Sequence, residues 1–263
     1  MDNRSFEIFT ASLRSALEHD PKVLGLITLG STADASFRDE WSDHDFWIVT
    51  ESGAQDAYLD DFSWLPDAEA IAIKVPHGKR RRTLLYRNRH QVEFAVFDTE
   101  EAHSGQIERY AVLIDRGPVA ELAASIQRQT LQQARSSRTL GEALENLCVL
   151  TWSASERNAR GEGLSARQYL DGFAVNQLLR LLSGCADDGL GAGGDQLDPR
   201  RRLETRSPGL AAEILLLLEQ PIPAVAIKML DIAEREIKAK APALGWDHVE
   251  MVRGWISELV GNT

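Results

Sequence analysis

Strand-patterned segments crowd the first 116 residues and then stop, at Asp115-Arg116-Gly117-Pro118. Short apolar or alternating runs at 23–29, 46–50, 69–75, 83–86, 91–97 and 110–114 read as strands. One helix precedes them, with Phe6, Phe9, Leu13 and Leu17 at helical spacing within residues 5–18, and a short one is expected between Ala54 and Phe62. Beyond Gly117 every long pattern has the helical period: 118–136, 139–160, 165–185, 208–219, 221–240 and 248–260. The breaks are turn-rich, at Gly161-Glu162-Gly163, the Gly-rich stretch 186–198, Ser207-Pro208, and Pro221 with Pro223. The expected class is α+β. A mixed sheet flanked by helices fills residues 1–116, and an all-α helical bundle fills 117–263, with 186–198 as the mobile loop.

Chemistry concentrates between the first two strand candidates. Gly30-Ser31 ends one, and Asp43-His44-Asp45 opens the next. Residues at i and i+2 of a strand face the same way, so Asp43 and Asp45 present two carboxylates together. A Gly-Ser turn can offer N–H groups and a hydroxyl to a phosphate. Mg²⁺ takes hard oxygen ligands, commonly one or two carboxylates completed by waters and substrate phosphates. A third carboxylate would complete a two-metal site, and Glu93 is the candidate. It stands alone in the apolar run Val92-Glu93-Phe94-Ala95-Val96-Phe97, where an unpaired charge is costly. Asp98, at the end of that run, reads instead as a cap for Thr99-Glu100-Glu101.

These residues resemble the signature of the nucleotidyltransferase superfamily typified by DNA polymerase beta: an apolar residue, Gly-Ser or Gly-Gly, a spacer, then Asp-x-Asp or Asp-x-Glu. Leu29-Gly30-Ser31 and Asp43-His44-Asp45 stand in those places. In the second half, Arg160-Gly161-Glu162, Gln177 to Leu182, and Arg201-Arg202-Leu203-Glu204 with Ser207-Pro208 are similar to stretches of the aminoglycoside and lincosamide nucleotidyltransferases. Those enzymes join a catalytic domain to a helical one. The resemblance implies that Gly30 and Ser31 hold the phosphates of ATP, and that Asp43 and Asp45 bind Mg²⁺. Glu93 would bind a second Mg²⁺ or act as general base. It further implies attack by a small-molecule hydroxyl on the α-phosphorus with release of pyrophosphate, the acceptor lying between the domains. Two departures stand out. The middle residue of Asp-x-Asp, usually apolar, is His44, expected to face away from the metals. The Arg-Gly pair that often follows Gly-Ser is missing, and Arg38 is the candidate for its charge.

Composition narrows the partners. Forty acidic against 29 basic residues give a net charge of -11, which argues against a nucleic-acid partner; it would suit a cationic acceptor, but solubility alone is the more common reason for such a balance. Cys148 and Cys185 lie in helical stretches without metal-ligand spacing and read as buried thiols. No signal-peptide pattern opens the chain, and the longest aliphatic stretch, Ile214 to Leu218, cannot span a bilayer. The expectation is a cytoplasmic protein with no membrane partner, a homodimer being left open. Lys79 to Arg82 reads as a solvated hairpin tip, with a phosphate contact as the rival. Arg157 and Arg160, with Glu162, stand between capping and substrate binding. His77, His90, His103 and His248 read as surface histidines, and Trp152, Trp246 and Trp255 as core, domain-interface or cleft-wall residues. Rival functions keep the chemistry but change the acceptor to a protein or RNA, or keep only nucleotide binding.

Overall fold

The computed structural model describes residues 2–136, 140–185 and 198–261. The chain divides into two compact units, Met1–Gln133 and Ala134–Thr263. The Gly-rich loop expected at 186–198 lies outside the described residues except for Asp198.

The first unit opens with helix α1, Asn3–Glu18, whose first turn is capped by the Asp2 carboxylate accepting from the Ser5 N–H at 2.7 Å. Its buried residues are Phe6, Phe9, Leu13 and Leu17, the set the spacing picks out. Strand β1, Val23–Leu29, runs into a single helical turn α2, Gly30–Ala33; β2 is His44–Thr50 and a short α3 is Gln55–Asp60. Strands β3, Ile71–His77, and β4, Arg81–Tyr86, form the expected hairpin, and β5, Gln91–Phe97, and β6, Tyr110–Asp115, complete a mixed six-stranded sheet. Its order is β3-β4-β5-β2-β1-β6, antiparallel throughout except for the parallel pair β2–β5. A parallel neighbour requires a crossover. Here the chain between β2 and β5 supplies α3 and the β3–β4 hairpin.

The alternation of the central strands splits the core between the two faces of the sheet. Phe46 and Ile48 of β2, with Phe94 and Val96 of β5, join Phe9, Leu13 and Leu17 of α1 on one face. Trp47 and Val49, with Ala95 and Phe97, join Val119, Leu122, Ala123 and Ile126 on the other. These last four residues belong to helix α4, Val119–Ser136. The unit therefore runs past the boundary expected near Gly117: the start of α4 is the cover that the second face of the sheet needs. Gly25 marks how closely they meet, because a Cβ there would lie 2.4 Å from Val119 Cγ1. Val119 is fully buried and stiff at χ1. Gly25→Ala is therefore expected to cost about 1–3 kcal/mol by overpacking, read as a lowered thermal midpoint.

The second unit is helical, with no strand among its described residues. Its helices are α5, Leu140–Ala159; α6, Gly163–Arg167; α7, Val175–Cys185; α8, Leu203–Arg206; α9, Pro208–Leu218; α10, Ile222–Ile237; and α11, Trp246–Gly261. The single helix expected over 165–185 is interrupted by a π-helical turn, Gln168–Ala174, that contains Gly172, a weak helix former. The one-turn α8 carries too little pattern to be read from sequence. Leu144 and Leu147 of α5, Leu178 and Leu181 of α7, Val225 and Met229 of α10, and Val249 of α11 share one core. Among the described residues no helix is long and apolar enough to cross a membrane. Cys148 is buried in this core, and burial pushes its thiol up to about 11; Cys185 is partly exposed, and both are free.

Candidate functional site

The parallel register of β2 and β5 sets Asp45 directly beside Glu93. Both share the sheet face of Trp47 and Ala95, each side chain half-buried at the ends of strands whose next residues are core. Asp43 lies two residues before Asp45, in the turn that leads into β2. Glu93 Oε1 accepts from Gln91 Nε2 at 2.8 Å, and Thr83 of β4 stands opposite Glu93 on the far side. Among the described residues no three His, Cys, Asp or Glu side chains are gathered as a metal-binding group. The three-carboxylate cluster expected from sequence is thus not assembled. The sheet register pairs Asp45 with Glu93, whereas Asp43 precedes the pleat and Glu93 turns toward Gln91.

Thr32 in α2 fixes the start of β2. Its hydroxyl accepts the Asp45 N–H at 2.9 Å and donates to the Asp43 carbonyl at 3.3 Å, and the side chain is buried. Sequence reasoning missed Thr32, because nothing local shows that a residue eleven positions upstream holds the Asp-x-Asp backbone. Gly30 adopts φ +51°, which favours glycine, and its N–H donates to the Arg109 carbonyl at 3.1 Å. That N–H is committed within the fold, contrary to its expected phosphate role. Ser31 is buried beside it. Arg38 is turned inward: its side chain is only 7% exposed, pairs with Glu7, and lies 4.1 Å from the Phe6 ring centroid. The expected phosphate ligand therefore ties the α2 loop to α1.

His44 faces away from the carboxylates, as its strand position requires, and is fully buried. Its ring stacks on Phe6 at 3.6 Å. Nε2 lies 3.2 Å from the Phe6 carbonyl and 2.9 Å from Thr10 Oγ1, and Nδ1 lies 2.7 Å from His90 Nε2. The Phe6 oxygen can only accept, so Nε2 of His44 carries the proton. Nδ1 then accepts, and His90 Nε2 donates to it. Burial, and then the neighbouring His90, hold His44 down at about 3; burial likewise holds His90 at about 4. Two neutral imidazoles thus support the Asp-x-Asp strand from behind. His90 is a correction to the surface reading. It sits two residues before Val92, the register partner of His44, and so shares its face.

The basic run at 79–82 closes the hairpin, with Lys79 and Arg80 in the turn and Arg81 and Arg82 opening β4, and it is not simply solvated. Arg80 bridges Asp56 at 2.8 Å and Glu101 at 2.7 Å, and Arg82 donates to the backbone carbonyls of Leu59 and Arg81. Asp98 caps the turn that follows β5, accepting from the N–H groups of Glu100 and Glu101 at 3.1 and 2.9 Å. In the second unit Arg157 donates to Ser165 Oγ at 2.9 Å and the Tyr169 hydroxyl at 3.1 Å, while Arg160 pairs with Glu162 at 3.4 Å. His77, His103 and His248 are exposed, as expected.

No protein-family model matches the chain, and no curated protein does. Several solved structures are similar to it, two of which follow. One is an aminoglycoside 6-adenyltransferase from Bacillus subtilis, 13% identical, covering 98% of this chain and 99% of that one with a TM-score of 0.37. The other is a nucleotidyltransferase-like protein from Exiguobacterium sibiricum, also 13% identical, covering 90% of this chain and 77% of that one with a TM-score of 0.38.

Proposed function

We propose that this protein is a Mg²⁺-dependent nucleotidyltransferase that moves AMP from ATP to a hydroxyl of a small cationic acceptor, an aminoglycoside or lincosamide. The observation that carries this reading is the strand register that sets Asp45 beside Glu93, with Thr32 fixing the backbone of Asp43 and Asp45. The donor set fits the metal: hard carboxylate oxygens, few enough to leave places for waters and phosphates. Asp45, with Asp43 at the mouth of the strand, would hold Mg²⁺, whose charge would offset that of the triphosphate.

The remaining work falls to positioning and proton transfer. Ser31 would offer its hydroxyl to the phosphates, Gly30 being committed to Arg109. Glu93, held by Gln91, would take the proton of the acceptor hydroxyl as its oxygen bonds to the α-phosphorus. The bond between the α- and β-phosphates then breaks, and pyrophosphate leaves.

A pyrophosphate-release screen across antibiotics and the four nucleoside triphosphates, with and without Mg²⁺, tests this. Release that needs both metal and an antibiotic supports the reading. Absence of release with every pair overturns it, and label from ATP travelling with added protein would replace the acceptor class.

A further inference from the structure

We infer that Trp152 and Trp255, with Glu258, form a binding site for a small organic ammonium ion in the helical unit. Trp152 of α5 and Trp255 of α11 meet with ring centroids 5.4 Å apart and planes at 62°. Together with Glu258 and Leu259 they line an open depression of about 400 Å³. That volume accommodates a quaternary or protonated amine head group.

Trp152 packs in part against the helical core, but packing does not account for Trp255. Trp246, on the same helix, is buried, and its indole N–H donates to the Ala241 carbonyl at 3.0 Å. Trp255, by contrast, keeps 40% of its surface exposed, and Trp152 is only half-buried beside it. The described cations that sit over rings choose others: Arg38 over Phe6, Lys74 over Phe62, Arg109 over Phe37 and Arg157 over Tyr169. Arg253, the cation of α11 nearest in sequence to Trp255, is drawn to Glu234 at 2.7 Å. The two indoles therefore present π-faces that no described side-chain cation covers.

Aromatic faces meeting at a steep angle beside a carboxylate suit an organic cation. The ring quadrupoles attract it without demanding directional hydrogen bonds, and Glu258 adds a formal charge. An anion is disfavoured by Glu258 and by the net charge of -11. A neutral molecule of equal shape gains the apolar contact but not the electrostatic part. The site needs no nucleotide, and it stands whether or not the carboxylates of the first unit transfer AMP.

The test uses the full chain, labelled with ¹⁵N, and follows its six indole N–H resonances during titration with tetramethylammonium chloride. Sodium chloride at equal ionic strength and tert-butanol serve as controls, with no nucleotide present. Two resonances should move saturably, and they should be the two that disappear in Trp152→Phe and Trp255→Leu. Trp255→Leu should weaken binding by about tenfold, and Glu258→Gln by about threefold, as expected for loss of a ring face and of a partly screened charge. Unchanged resonances elsewhere in each variant show that the fold persists. Equal shifts with tert-butanol, shifts centred on the exposed Trp41, or binding indifferent to all three substitutions overturn the inference. Since turnover is not measured, failure here and failure of the pyrophosphate assay are separate results.

Discussion

Asp45→Asn is expected to lower Mg²⁺-dependent pyrophosphate release by about a hundred- to a thousandfold, in line with losses when one charge-stabilising group is removed from an active site. The substitution preserves shape and removes only charge. It leaves the Asp45 backbone N–H on Thr32 Oγ1, so the strand start keeps its geometry. Asp45 is half-buried and stands beside Glu93 in the strand register. A thermal melt that shows the fold intact at the assay temperature while activity falls separates a chemical role from a structural one. Glu93→Gln, which removes the proposed base, should also abolish turnover but leave the Mg²⁺ concentration for half-saturation of ATP binding within about threefold of wild type, whereas Asp45→Asn should raise it steeply. Thr32→Val removes the clamp without touching charge, and its expected loss is smaller, about ten- to a hundredfold, through displaced carboxylates. An Asp45→Asn protein working near the wild-type rate sinks the proposed site.

Much of the architecture was legible because it follows from periodicity. Val23–Leu29 and Gln91–Phe97 coincide with the apolar runs, and α1 buries the four residues its spacing selects. The same parity argument places Asp45 and His44 on opposite faces, but the place of Glu93 beside Asp45 comes from the strand pairing, which parity does not supply. Long-range pairing was not legible. Nothing local announces that α4 caps the sheet, that Thr32 bonds across to Asp43 and Asp45, or that His90 lies behind His44. Arg38 shows the converse: the resemblance makes it the stand-in for the missing Arg-Gly charge, while the fold packs it against Phe6 and Glu7. A charge's partner is a tertiary fact, and sequence carries it only when the partner is within a helical turn or a strand pleat.

The His44–His90 pair makes the first unit acid-sensitive well above the carboxylate range. Both imidazoles are neutral in the folded state, held at about 3 and about 4 chiefly by burial, against 6.5 for the free group. Between those values and 6.5 the unfolded chain binds more protons than the folded one, so stability falls as pH falls. The stabilisation is complete above about pH 6.5 and is lost progressively toward pH 4. Each histidine contributes up to about 1.4 kcal/mol per pH unit across that window, so cooling of stability from pH 6.5 to 5 amounts to about 3–4 kcal/mol for the pair. That is a large share of a domain's usual 5–15 kcal/mol. Urea unfolding at fixed pH values should show this slope, and the two imidazole resonances of the native protein should not titrate above pH 5. Replacing both rings, as His44→Leu/His90→Leu, should flatten the slope between pH 6.5 and 5. It should not leave the Phe6 carbonyl orphaned, because the Thr10 hydroxyl already donates to it at 3.1 Å. Removing both partners of a buried hydrogen bond costs far less than removing one, so His90→Leu alone should be the less stable protein at pH 7, with His44 Nδ1 left unpaired. A double variant with the wild-type slope would show that the acid sensitivity lies elsewhere.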